Sequence, residues 1–116
     1  LEAGACSLPV IATRYSGQTD FLDDDNSYLV DIDGFRKAEK ELAIVSYFYE
    51  NAEFPTLGQT AVDQLREKMR EVFENKDEAD AKANRLYERV VGEYDWDSCI
   101  RTMHDKAFET FEALSK

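Results

Sequence analysis

Arg14 follows a short apolar segment that reads as a parallel strand, and α/β sheets bind ligands beyond the carboxyl ends of such strands. Its guanidinium is therefore a candidate anion contact, weighed against a solvated arginine. Glu2 places a carboxylate on what reads as the last turns of a helix; alone, it is a surface carboxylate. Asp23-Asp24-Asp25 lacks the alternating spacing and terminal Glu of a calcium loop, so no metal site is expected. His104, the single histidine, falls within a helical stretch and reads as surface or satisfied core rather than a base. Cys6 and Cys99 form no CxxC pattern and read as idle or buried thiols in a reducing compartment.

These residues must be positioned by a short αβ alternation. Leu1 to Cys6 suits the end of a helix, with Gly4 an awkward interior residue, and Pro9 prevents its continuation. Val10-Ile11-Ala12-Thr13 is apolar on both faces, as in a parallel strand covered by helices on both sides. Ser16-Gly17 predicts a turn, Thr19 caps a helical turn with Asp20 near its positive end, and Ser27 to Val30 predicts a second strand. Residues 31–58 read as an irregular but ordered excursion with room for short strands, ending at Phe54-Pro55. Within it, Glu39 to Val45 fits helix or strand, and Ser46 to Tyr49 is aromatic without a period. Residues 59–116 read as helical.

Three helices follow from the periodicity there. Val62, Leu65, Met69, Val72 and Phe73 form the first apolar stripe, with Asn75 as a stop. Ala79, Ala83, Leu86 and Val90 form the second, from about Asp77 to Gly92. The third helix is capped by Asp95 and carries Trp96, Ile100, Met103, Ala107, Phe111 and Leu114. Such stripes are expected in the core.

The chain has 116 residues, 43% of them hydrophobic, which fits a single folded unit. The formal charge of −11 disfavours nucleic-acid binding and an electrostatic grip on an anionic membrane. It fits a solvated helical surface, with an acidic recognition surface as the alternative. No apolar run approaches the roughly 20 residues of a transmembrane helix. The opening residue is not Met, and the first element begins inside a helix, so the chain is expected to be the C-terminal end of a larger protein.

The stretch Leu1-Glu2-Ala3-Gly4-Ala5-Cys6-Ser7-Leu8-Pro9-Val10-Ile11-Ala12-Thr13 resembles the family-4 retaining glycosyltransferases (glycosyl transferases group 1). That family carries a pair of glutamates separated by seven residues, the second inside Leu-Glu-Ala-Met-Ala-x-Gly-x-Pro-Val-Ile-Ala-Thr. Glu2 falls on the second glutamate. The resemblance continues through Ser16-Gly17, Asp20, Asn26 to Val30 and Tyr94-Asp95-Trp96. It implies an α/β fold: the C-terminal fragment of a Rossmann-like GT-B donor-binding domain, with two short parallel strands followed by three helices. It implies that Glu2 binds the ribose hydroxyls of a nucleotide-diphosphate-sugar donor, a task suited to two acceptor oxygens held on a helix. No metal cofactor is implied. The first glutamate and the diphosphate-binding cations would lie upstream, and a glycan, lipid or other acceptor would bind an N-terminal domain. A cytoplasmic location, or a peripheral one at the inner membrane face, goes with it.

Two departures stand inside the motif. Gly4 replaces Met, at about 1 kcal/mol relative to Ala in a helix interior. Ser7 replaces a Gly that follows the helix, where a left-handed backbone suits Gly better than Ser. The alternative function is a non-enzymatic α/β-helical remnant that binds a protein partner. The isolated chain is expected to be inactive as a transferase.

Overall fold

The computed structural model describes residues 1–37 and 52–115; the readings made for Glu39 to Val45 and Ser46 to Tyr49 lie outside them. The architecture is mixed α/β, mostly helical with a few short strands. In chain order come α1 (Glu2–Ala5), β1 (Ile11–Thr13), a 3-10 turn (Ser16–Asp20), β2 (Tyr28–Val30), β3 (Gly34–Lys37) and β4 (Glu53–Thr56). Three long helices follow: α2 (Gln59–Glu74), α3 (Lys76–Glu93) and α4 (Trp96–Leu114).

β1 and β2 pair in parallel, with Ile11 opposite Tyr28, Ala12 opposite Leu29 and Thr13 opposite Val30. Backbone bonds from Tyr28 N to Val10 O (2.9 Å) and Arg14 N to Val30 O (2.8 Å) extend the ladder past both ends. β2 is buried throughout, whereas β1 is only half-buried. The excursion expected over residues 31–58 contains a second sheet, in which β3 and β4 run antiparallel with Phe35 opposite Pro55. The Tyr15 and Phe35 rings meet edge to face at 5.6 Å and tie this sheet to the loop after β1.

The core lies between the parallel pair and α3. Leu22, Leu29, Leu86 and Val90 pack together, with Val10, Ala12 and Phe21 against them. Every member of the α3 stripe (Ala79, Ala83, Leu86, Val90) is buried, as the period predicts. α2 packs against β1 and β2, and an apolar cavity of about 290 Å³ lies there between Ile11, Thr13 and Val30 of the strands and Ala61, Val62 and Leu65 of the helix.

The other two stripes correct the expectation of a core. On α2 only Ala61 is buried, and Met69 and Phe73 are 57% and 76% exposed. On α4 no residue is buried, and Trp96 and Leu114 are 84% and 83% exposed. A helical period reports that one face is apolar; it carries no information about whether another element covers that face. The start of α4 is capped: Asp95 Oδ1 accepts from Asp97 N at 2.8 Å and Ser98 N at 3.0 Å.

The turn after β1 differs in detail from expectation. The turn expected at Ser16-Gly17 opens the 3-10 element, with Ser16 in the left-handed backbone (φ 67°). Thr19 lies inside the 3-10 turn rather than capping it, and its hydroxyl donates back to the Ser16 carbonyl at 2.8 Å.

Candidate functional site

α1 is a single turn of helix, and its exit decides where Glu2 sits. The Leu8 amide donates to Ala3 O (3.0 Å) and the Ser7 amide to Gly4 O (2.9 Å), the paired bonds of a Schellman motif. The residue that turns left-handed in that motif is Ser7, with φ 54°. A left-handed non-Gly residue costs about 1–2 kcal/mol. The Ser7 hydroxyl finds a partner across the fold: it donates to Asn84 Oδ1 on α3 at 2.7 Å.

Gly4 faces α3 as well and is buried. A Cβ at this position would lie 2.9 Å from Leu86 Cγ and 3.2 Å from Val90 Cγ2. A side chain of Met size has no room there, so the departure at residue 4 is a close approach between two helices, and not merely an awkward interior residue. Glu2 lies at the start of the same turn, and its carboxylate is fully exposed. Its own backbone N–H, and then the amino-terminal charge, hold its pKa below the ordinary carboxylate value.

Arg14 is already engaged. Its Nη1 and Nη2 donate to Asp24 Oδ2 and Oδ1 at 3.0 and 2.7 Å, and its Nε donates to Asp31 Oδ1 at 2.9 Å. These hydrogen bonds, Asp24 first, raise the arginine's pKa further and lower that of Asp24. An incoming anion would have to displace a bidentate carboxylate, so in this geometry Arg14 has a structural task. Among the described residues no hydrogen bond or ion pair joins Arg14 to Glu2.

The acidic turn that Arg14 holds is built, not merely solvated. Asp23 Oδ1 accepts from the amides of Asp25 (3.0 Å) and Asn26 (3.1 Å), and Asn26 Nδ2 donates to Phe21 O at 3.0 Å. From α3, Lys82 donates to Asp24 O, Arg85 Nε to Asp25 O (2.6 Å) and Arg89 Nη1 to Asp23 Oδ2 (2.8 Å). Reading Asp23-Asp24-Asp25 for metal spacing misses this. The signal was the row of bases at Lys82, Arg85 and Arg89, whose spacing of three and four puts them on one helical face.

Asp20 and Tyr94 meet: the Tyr94 hydroxyl donates to Asp20 O at 3.0 Å, and its ring stands edge-on to Phe21 at 5.8 Å. Tyr28 is buried, and its hydroxyl has no hydrogen-bond partner among the described residues. His104 lies exposed on α4 beside Asp105 (Nδ1 to Oδ1 3.2 Å) and stacks on Phe108. Cys6 is exposed and Cys99 half-buried, and both thiols are free. Among the described residues no three His, Cys, Asp or Glu side chains gather as a metal-holding group. Among them, too, no helix is long and apolar enough to cross a membrane.

No protein-family model matches the chain, and searches of curated proteins and of solved structures find no match either.

Proposed function

We propose that this chain is the C-terminal part of the donor-binding domain of a family-4-like retaining glycosyltransferase with the GT-B, Rossmann-like fold. The enzyme transfers a sugar from a nucleotide diphosphate to a glycan, lipid or other acceptor bound by an N-terminal domain. Glu2 accepts hydrogen bonds from the two ribose hydroxyls of the donor. The first glutamate and the cations for the diphosphate come from upstream. The chemistry calls for no bound metal, and the protein works in the cytoplasm or at the inner membrane face.

One observation supports this reading. The motif's Gly position, here Ser7, has a left-handed backbone in a helix-ending Schellman turn, and a parallel strand follows it directly. The residue types of Leu1 to Thr13 and the backbone that they adopt thus agree at the position where the pattern demands something unusual. Glu2, one turn earlier, pairs among the described residues with the amino terminus of Leu1 at 3.6 Å, and its carboxylate is fully exposed. Titrating the intact polypeptide with a panel of nucleotide sugars tests the reading. We expect one donor to bind, and Glu2→Gln to weaken it about tenfold, as two hydroxyls lose a charged acceptor. Unchanged affinity in that variant would refute it.

The exposed stripe of α4 favours a second reading. A helix with Trp96, Ile100, Met103, Phe111 and Leu114 open to solvent suits a protein-interaction module without catalytic function. This reading predicts that no nucleotide sugar binds, and the same titration separates the two.

A further inference from the structure

We infer that Leu86 and Asn84 of α3 are positioning residues for the donor: together they hold the turn that carries Glu2. The inference rests on the glycosyltransferase reading. α1 is one turn long, too short to hold its own direction. Its described tertiary support is α3, against which it packs. Two of its contacts bear on the turn directly. Leu86, among the most deeply buried side chains described, fills the gap left by the missing Cβ of Gly4. Asn84 takes the hydroxyl of Ser7 at 2.7 Å and secures the left-handed residue that ends the turn.

The two departures from the family motif are thus answered by residues two positions apart on one helix, about eighty residues later in the chain. Gly4 lets α1 sit close to Leu86, and Asn84 makes a serine workable at a glycine's position. A carboxylate that must meet two ribose hydroxyls tolerates little displacement, so a shift of α1 away from α3 reaches the donor through Glu2.

The test uses the intact polypeptide and calorimetric titration with UDP-glucose, GDP-mannose and ADP-glucose. Gly4→Ala puts a Cβ against Leu86 and should raise the Kd of the donor that binds about tenfold. Gly4→Ala combined with Leu86→Ala removes the Cγ that the new Cβ would meet at 2.9 Å and should restore most of the affinity. Should Gly4→Ala not fold, a milder pair serves. Asn84→Ala should raise the Kd and speed amide exchange at Ser7 and Leu8, and adding Ser7→Gly should reverse both, because glycine needs no hydroxyl partner to turn left-handed. Folded Gly4→Ala or Asn84→Ala proteins with wild-type Kd, alongside a weakened Glu2→Gln, overturn the positioning role and leave the glycosyltransferase reading standing. A Glu2→Gln protein that binds like wild type overturns that reading itself.

Discussion

The guanidinium of Arg14 grips both carboxylate oxygens of Asp24, at 2.7 and 3.0 Å, and so binds the end of β1 to the acidic turn before β2. The pair is partly solvated, with side-chain exposures of 42% and 71%, so screening limits what it contributes. Arg14→Gln should cost about 0.5–1 kcal/mol of stability in dilute buffer, and less in 1 M salt. It should leave nucleotide-sugar affinity unchanged. Denaturant melts at two salt concentrations check the first part; weakened nucleotide-sugar binding would show that Arg14 is an anion contact as well.

Acid should loosen the fold from two places. Asp24 has a lowered pKa, chiefly from its hydrogen bonds to Arg14, and Asp95 has one from Ser98 and the α4 amides. A carboxylate lowered on folding contributes stability that is complete above its unfolded pKa, about 4 for Asp, and disappears as pH falls through the folded value. Circular dichroism should therefore show helix loss beginning below about pH 4. In Asp95→Asn, which can still cap but cannot titrate, the loss from α4 should be smaller.

Tyr28 offers the opposite sign. Its ring is buried while its hydroxyl lacks a partner among the described residues. Tyr28→Phe removes a desolvated hydroxyl that makes no bond, so it should be neutral or stabilise the fold by up to about 1 kcal/mol. A loss of more than that on chemical denaturation would mean that the hydroxyl has a partner.

The helical stripes should respond unequally to substitution. Leu86→Ala opens a cavity in the core and should cost about 2–5 kcal/mol. Phe111→Ser on α4, at a position 68% exposed, should change stability by less than about 0.5 kcal/mol and improve solubility. Equal losses for the two would mean that the α4 face is covered.

Much of this was legible in the sequence, for identifiable reasons. Asn75 and Asp95 punctuate the chain by local chemistry, so the end of α2 and the start of α4 follow from single residues. The doubly apolar run at β1 and the stripe of α3 announce burial, and α3 delivers it. What stayed hidden depends on partners distant in sequence. Gly4 looks costly until Leu86 is seen against it, and Ser7 looks misplaced until Asn84 is found. Arg14 looked free because Asp24 and Asp31 become its neighbours only when β1 and β2 pair. The apolar face of α4 shows the remaining limit, since periodicity describes a surface and not its surroundings.

Whether Glu2 meets the donor's ribose can be measured directly by pairing a change in the protein with a change in the ligand. The bound nucleotide sugar and its 2′,3′-dideoxy analogue are titrated into the intact wild-type polypeptide and into Glu2→Gln. Loss of the hydroxyls should weaken binding about tenfold to the wild type and far less to the variant, because the two changes remove the same interaction. Equal losses in both proteins would contradict it.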